Sequence, residues 1–227
     1  MEFTEEAVYD LAMTAYNGDA SFEVQLRDCA LIVIDMQDEF VKPGWTPFWV
    51  PGATRMVPKL KGLIERCREN DVPVIYTAFN ITYLLLDRPL SGKYMSNRYQ
   101  DFNNPTWFKH AKIWHEIEPT ESDIVIYKPS YGAFYDTPLE TTLKNLERNT
   151  IIICGTLTNY CCGMTARQGY ERGFKVVVIE DLNATDDRMM HEVEIKVLRK
   201  GFAKILSSDQ LLRLINNSNE MANSHKK

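Results

Sequence analysis

From residue 30 onward, short continuous apolar runs alternate with stretches whose apolar residues recur every three or four positions. The runs are Ala30-Leu-Ile-Val-Ile-Asp35, Val72–Phe79, Asp123-Ile-Val-Ile-Tyr-Lys128, Thr150-Ile-Ile-Ile-Cys154, Lys175–Asp181 and Ala203–Leu206. Runs of this kind predict strands buried on both faces, as in parallel sheets. Between them, Ala53–Asn70 predicts an amphipathic helix with Met56, Leu60, Leu63, Ile64 and Cys67 on one face. Leu139, Leu143 and Leu146 mark a short helix. Thr165–Arg172 reads as a helix closed by Gly173, Asp187–Arg199 as another, and Ser208–Ile215 as the last, capped by Ser207 or Ser208. Strand–helix alternation calls for an α/β fold: a doubly wound, six-stranded parallel sheet with helices on both faces.

Residues 29–215 thus form one domain. Residues 1–28 are an N-terminal extension, with a helix expected over Glu5–Tyr16. Residues 216–227 are a polar C-terminal tail, expected to be disordered from residue 217. The aromatics of Phe40–Gly52 either wall a pocket, contact another subunit or pin the loop to the core. Residues 81–122 form the longest irregular stretch, carrying Tyr83, Tyr94, Tyr99, Trp107 and Trp114, and read as a lid or a subunit interface.

Composition narrows the class. A chain of 227 residues can bury a core without disulfides or structural metal, and its net charge of −5 offers nothing to nucleic acid or an anionic membrane. No apolar run reaches the roughly 18 residues of a membrane span. The acidic start, Met1-Glu-Phe-Thr-Glu-Glu, does not read as a signal peptide, and five irregularly spaced cysteines fit a reducing compartment, so the expected location is cytoplasmic.

Three residues carry candidate chemistry. Asp35, Lys128 and Cys161 all fall at or just beyond strand C-terminal ends, which share one rim in a doubly wound sheet. Cys161 lies where a strand turns into a helix, near free N–H groups that favour a thiolate or a developing oxyanion. The alternative is a buried small hydrophobe. Asp35 either caps the next segment or acts as a general base; Lys128 either snorkels to solvent or stabilises the thiolate. Asn80, at the rim after the second strand, either binds substrate or makes a turn. Cys67 and Cys154 read as buried, His110 and His115 as surface residues. No histidine lies near these three positions in sequence.

Val33-Ile-Asp-Met-Gln37, Lys128-Pro-Ser-Tyr-Gly-Ala-Phe134 and Gly155-Thr-Leu-Thr-Asn-Tyr-Cys161 with Thr165-Ala166 together resemble the motifs of the isochorismatase-like cysteine hydrolases. The resemblance covers about residues 29–215. It implies a Rossmann-like sheet of order 3-2-1-4-5-6 and an Asp35–Lys128–Cys161 triad that hydrolyses a C–N bond. It also implies a cis peptide at Thr156–Leu157, with the Leu157 and Cys161 amides as oxyanion hole. Cys161, not Cys162, occupies the nucleophile's place. The segment Lys128–Leu139 and Asn80 look most like the ureidoacrylate and carbamoyl amidohydrolase branch. That likeness implies substrate contacts from Asn80 and Tyr131, the latter otherwise a plain rim aromatic; Gln37 orients either Asp35 or the substrate, and Phe40, as a pocket-wall aromatic, is a further candidate substrate contact. The metal-site pattern of the family's nicotinamidases is missing at Phe79-Asn-Ile-Thr-Tyr83, so no metal and no cofactor are expected. The expected partners are a small amide or ureido substrate and further copies of the chain, a homo-oligomer.

Overall fold

The computed structural model describes residues 3–81, 83, 86–91 and 106–224. Tyr94 and Tyr99 lie outside the described residues, as does much of the stretch read as a lid or interface.

Six strands form one sheet: β1 (Cys29–Ile34), β2 (Val74–Phe79), β3 (Ile124–Lys128), β4 (Thr150–Thr156), β5 (Lys175–Ala184) and β6 (Lys204–Leu206). Their order is β3-β2-β1-β4-β5-β6 and every pairing is parallel. The order reverses between β1 and β4, and the rim crevice of an open α/β sheet lies at that reversal.

Alternation along β1 shows how the sheet divides the interior. Leu31 and Val33 join one apolar cluster, with Met56, Leu60, Leu63 and Ile64 of helix α3 (Pro51–Arg68). Ala30, Ile32 and Ile34 join the other, with Leu139 and Leu143 of α4 (Leu139–Asn145), Ala166 of α5 (Gly163–Glu171), and Ile195 and Leu198 of α6 (Arg188–Gly201). Period-two side-chain direction thus sends one strand into two cores, which is why the run is apolar throughout.

Several boundaries depart from expectation. β5 continues to Ala184 because it carries a bulge: Ile153 pairs with Val178, but Gly155 pairs with Asn183. Asn183 Nδ2 braces the bulge by donating to the Ile153 and Ile179 carbonyls at 3.1 and 2.7 Å. The last helix, α7 (Ser208–Ser224), does not stop at Ile215. The tail expected to be disordered is therefore helical as far as residue 224. Ser207 caps it reciprocally with Gln210: each backbone N–H donates to the other's side chain, at 2.7 and 3.2 Å.

Helix α1 spans Glu5–Tyr16, as its pattern predicts, with Thr4 Oγ1 accepting from Ala7 N. It buries no residue, and Val8, Tyr9, Leu11 and Met13 are exposed. A four-residue helix, α2 (Asp38–Val41), opens the aromatic loop. Among the described residues no helix is long and apolar enough to cross a membrane.

Candidate active site

β1 ends at Ile34, and Asp35 follows with φ of 50°, a left-handed turn that aspartate tolerates better than most residues. This turn brings the carboxylate to Lys128, the last residue of β3, although β2 lies between the two strands. Lys128 Nζ lies 2.7 Å from Asp35 Oδ2, and both side chains are fully buried. Lys128 does not snorkel to solvent: the ammonium also donates to the Ser130 carbonyl at 2.9 Å. Thr77 Oγ1 of β2 donates to Asp35 Oδ1 at 2.8 Å. Asp35 Oδ2 receives no aligned hydrogen bond beyond its ion-pair contact.

Cys161 comes from the far side of β1. β4 lies so close to β1 at this level that a Cβ on Gly155 would collide with the Ile34 carbonyl, and Gly155 itself has φ of 128°. Glycine meets both demands. The Thr156–Leu157 peptide is cis, as the resemblance implies. A single π-turn over residues 158–162 then leads into α5. Such turns recur at functional sites.

Cys161 is 4% exposed and is in side-chain contact with Asp35 and Lys128. Burial pushes its thiol up to about 12; the Lys128 charge opposes this and the Asp35 charge adds to it. Burial pulls the Lys128 ammonium down, but Asp35 and Cys161 outweigh it, and the net direction is up. Burial thus favours the neutral thiol at Cys161, beside the Lys128–Asp35 ion pair. Cys162 is 1% exposed, and burial likewise pushes its thiol well up.

Thr165 ties the two rims together. Its Oγ1 accepts from Ala133 N at 2.9 Å and donates to the Cys161 carbonyl at 2.7 Å. His191 of α6 also reaches the nucleophile turn, although sequence proximity had put no histidine there. Its Nδ1 is 2.9 Å from Thr158 Oγ1.

The residues assigned to substrate fall elsewhere in part. Gln37 is fully buried. Its Nε2 donates to Glu39 Oε2 at 2.8 Å and to the Phe79 carbonyl at 3.1 Å, while its Oε1 accepts from Phe79 N at 2.8 Å. It is a strut between the ends of β1 and β2. Phe40 is 1% exposed and packs on Phe108 with ring centres 5.5 Å apart. With Phe48 also buried, the loop aromatics at these two positions pin the loop to the core.

Asn80 is half-buried. Its amide nitrogen, oriented by its neighbours, donates to the Phe108 and Lys109 carbonyls at 2.7 and 3.1 Å. It also lines a cavity of about 220 Å³ with Tyr83, Asp87, Tyr127 and Lys128. Tyr131 stays at the rim, its ring centre 5.5 Å from that of Tyr160. His110 and His115 are exposed. Among the described residues no group of three or more His, Cys, Asp or Glu side chains is placed to hold a metal ion.

Residues 29–210 match the family model described as the isochorismatase domain. The chain belongs to the isochorismatase family. Nicotinamidase 3 of Arabidopsis thaliana is 29% identical over 210 residues, covering 88% of this chain and 97% of that protein. Streptothricin hydrolase of Streptomyces noursei is 31% identical over 176 residues, covering 78% of this chain and 60% of its own length. The crystal structure of N-carbamoylsarcosine amidase from Thermoplasma acidophilum superposes with a TM-score of 0.64 at 25% identity, over 80% of this chain and 97% of that one. A cysteine hydrolase from Pseudomonas syringae pv. phaseolicola shares the fold, with a TM-score of 0.78 at 24% identity, over 88% and 98% of the two chains. The protein is an isochorismatase-family hydrolase.

Proposed function

We propose that the chain is a metal-independent cysteine amidohydrolase that cleaves a C–N bond in a small ureido, carbamoyl or carboxamide substrate. The observation that supports this is the contact of one buried thiol with both a carboxylate and an ammonium. Burial disfavours the thiolate, so Cys161 needs a base at the moment of attack, and the Asp35 carboxylate is in side-chain contact with it.

The thiol proton passes to Asp35 as Sγ bonds to the substrate carbonyl carbon. The Leu157 and Cys161 amides hold the oxyanion in this reading. Asp35 returns the proton to the leaving nitrogen as the C–N bond breaks, giving ammonia and a thioester. Water then attacks the thioester, passing one proton to Asp35, which delivers it to the departing sulfur. Lys128 keeps its charge throughout, stabilises the developing thiolate and holds Asp35 in place.

Nicotinamidase and N-carbamoylsarcosine amidase among the similar proteins favour C–N chemistry by their names. The reading extends to a homo-oligomer in the cytoplasm, which sedimentation and fractionation test. The deciding experiment measures ammonia release from a panel of ureido acids, carbamoyl compounds and carboxamides, beside Cys161→Ser and Cys162→Ser, with and without chelator. Release that requires Cys161 and ignores the chelator is expected. Release lost with chelator and restored by zinc would overturn the metal-independent mechanism. No release, with Cys161 inert to alkylation, would favour a non-catalytic protein that keeps the fold.

A further inference from the structure

A second cation faces the same rim, from a segment in which no motif marks it. The Arg88 guanidinium carbon lies 4.9 Å from the centre of the Phe79 ring and 5.9 Å from that of Tyr131. Lys128 Nζ lies 5.6 Å from the same Phe79 ring. Tyr131 in turn is close enough to the cluster that the charges of Arg88, Cys161 and Lys128 all act on its hydroxyl. Arg88 therefore stands one aromatic side chain away from the nucleophile.

Its partners are unusual within this molecule. Arg68 pairs with Asp123 and Arg167 with Glu194, both across elements and partly buried. Among the described residues, no carboxylate forms an ion pair with Arg88, which is nevertheless half-buried. Stacking on rings satisfies the faces of a guanidinium and leaves its N–H edge. That edge is a planar fork matched to a carboxylate, and a partly desolvated cation without a counter-charge is costly until an anion arrives.

We propose that Arg88 binds a carboxylate of the substrate, so that the C–N bond cleaved at Cys161 belongs to a small organic anion, an amidic or ureido acid, rather than to a neutral carboxamide. The assignment of substrate class rests on the amidohydrolase reading; the anion subsite itself does not.

Iodoacetate and iodoacetamide separate the two, because they alkylate the same thiol and differ in carrying a carboxylate or a neutral amide. The rate of Cys161 modification by each is measured in wild type, Arg88→Met and Arg88→Lys, with Cys161→Ser identifying the labelled position. The iodoacetate-to-iodoacetamide ratio should fall by about 10-fold or more in Arg88→Met and be largely kept in Arg88→Lys. An unchanged ratio in folded Arg88→Met overturns the subsite. In parallel, kcat/KM is compared for an amidic acid and its neutral diamide. Arg88→Met should lose about 100-fold on the acid, mainly through KM, and little on the diamide. Equal loss on both would make Arg88 structural and overturn the proposal. If neither compound releases ammonia while Arg88 still sets the alkylation ratio, the hydrolytic reading fails and the anion subsite stands.

Discussion

Lys128 Nζ and Asp35 Oδ2 meet at 2.7 Å with neither side chain open to solvent. Breaking such a pair from one side leaves a buried charge alone, which costs about 3–5 kcal/mol. Asp35→Asn should therefore lower the melting temperature as well as turnover, and turnover should fall by about 100-fold or more because the proton acceptor is gone. A double variant, Asp35→Asn with Lys128→Met, should melt above the sum of the single losses. Calorimetry of the four proteins checks this; additive losses would show that the charges do not stabilise one another.

Cys161 and Cys162 are adjacent, yet only Cys161 has both Asp35 and Lys128 in side-chain contact. Cys161→Ser should abolish ammonia release, while Cys162→Ser should retain much of it. The reverse result would move the nucleophile by one residue.

Alkaline pH should destabilise the fold. Burial raises the Cys29, Cys67 and Cys161 thiols from 9.0 to about 12. Between those values the folded chain holds protons that the unfolded chain has released, so unfolding releases protons and stability falls as pH rises above about 9. Lys128, raised above 10.5, adds a loss of the same sign at higher pH. Each raised thiol contributes up to about 1.4 kcal/mol per pH unit. Urea midpoints measured from pH 8 upward should decline, and Cys161→Ala should decline less steeply.

Thr165 holds the Lys128 rim to the nucleophile turn through two hydrogen bonds. Thr165→Val removes both and leaves Ala133 N–H buried without that partner, at a cost of about 1–3 kcal/mol. Turnover should fall with kcat rather than KM, because the change displaces Cys161 rather than a substrate contact. A pure KM effect would contradict this.

Gly155→Ala should prevent stable folding. The new Cβ would meet the Ile34 carbonyl in a conformation that L residues rarely adopt. Soluble expression with a wild-type melting temperature would show that β1 and β4 can separate there.

Much of the framework was legible in the chain. Continuous apolar runs marked all six strands: β1, β2 and β4 are buried on both faces, whereas the edge strand β3 leaves Val125 and Tyr127 exposed on one, and the charged residue ending each of two runs marked a rim position. Arg88 and Thr77 were not legible. Arg88 sits in irregular sequence with no periodicity around it, and its neighbours Phe79 and Tyr131 are far along the chain. Thr77 was visible only as a hydroxyl inside an apolar strand, a weak signal that its bond to Asp35 explains.

Gln37 and Phe40 show the limit from the other direction. Gln37 was expected to orient Asp35 or the substrate, and Phe40, one of the loop aromatics, to wall a pocket or pin the loop. The direction of a side chain after a strand end depends on the turn that follows, and here both are buried, Gln37 as the N-cap of α2 and Phe40 within it. Local pattern alone determined the strand–helix alternation and the common rim of Asp35, Lys128 and Cys161, while the choice of Cys161 over its neighbour came from the family resemblance. Tertiary structure decided which buried polar groups meet: the ion pair across β2, the Thr165 tether, the Gln37 strut and the cation on Phe79. Periodicity records which face a residue shows, whereas such contacts join residues tens of positions apart whose pairing only the packed sheet defines.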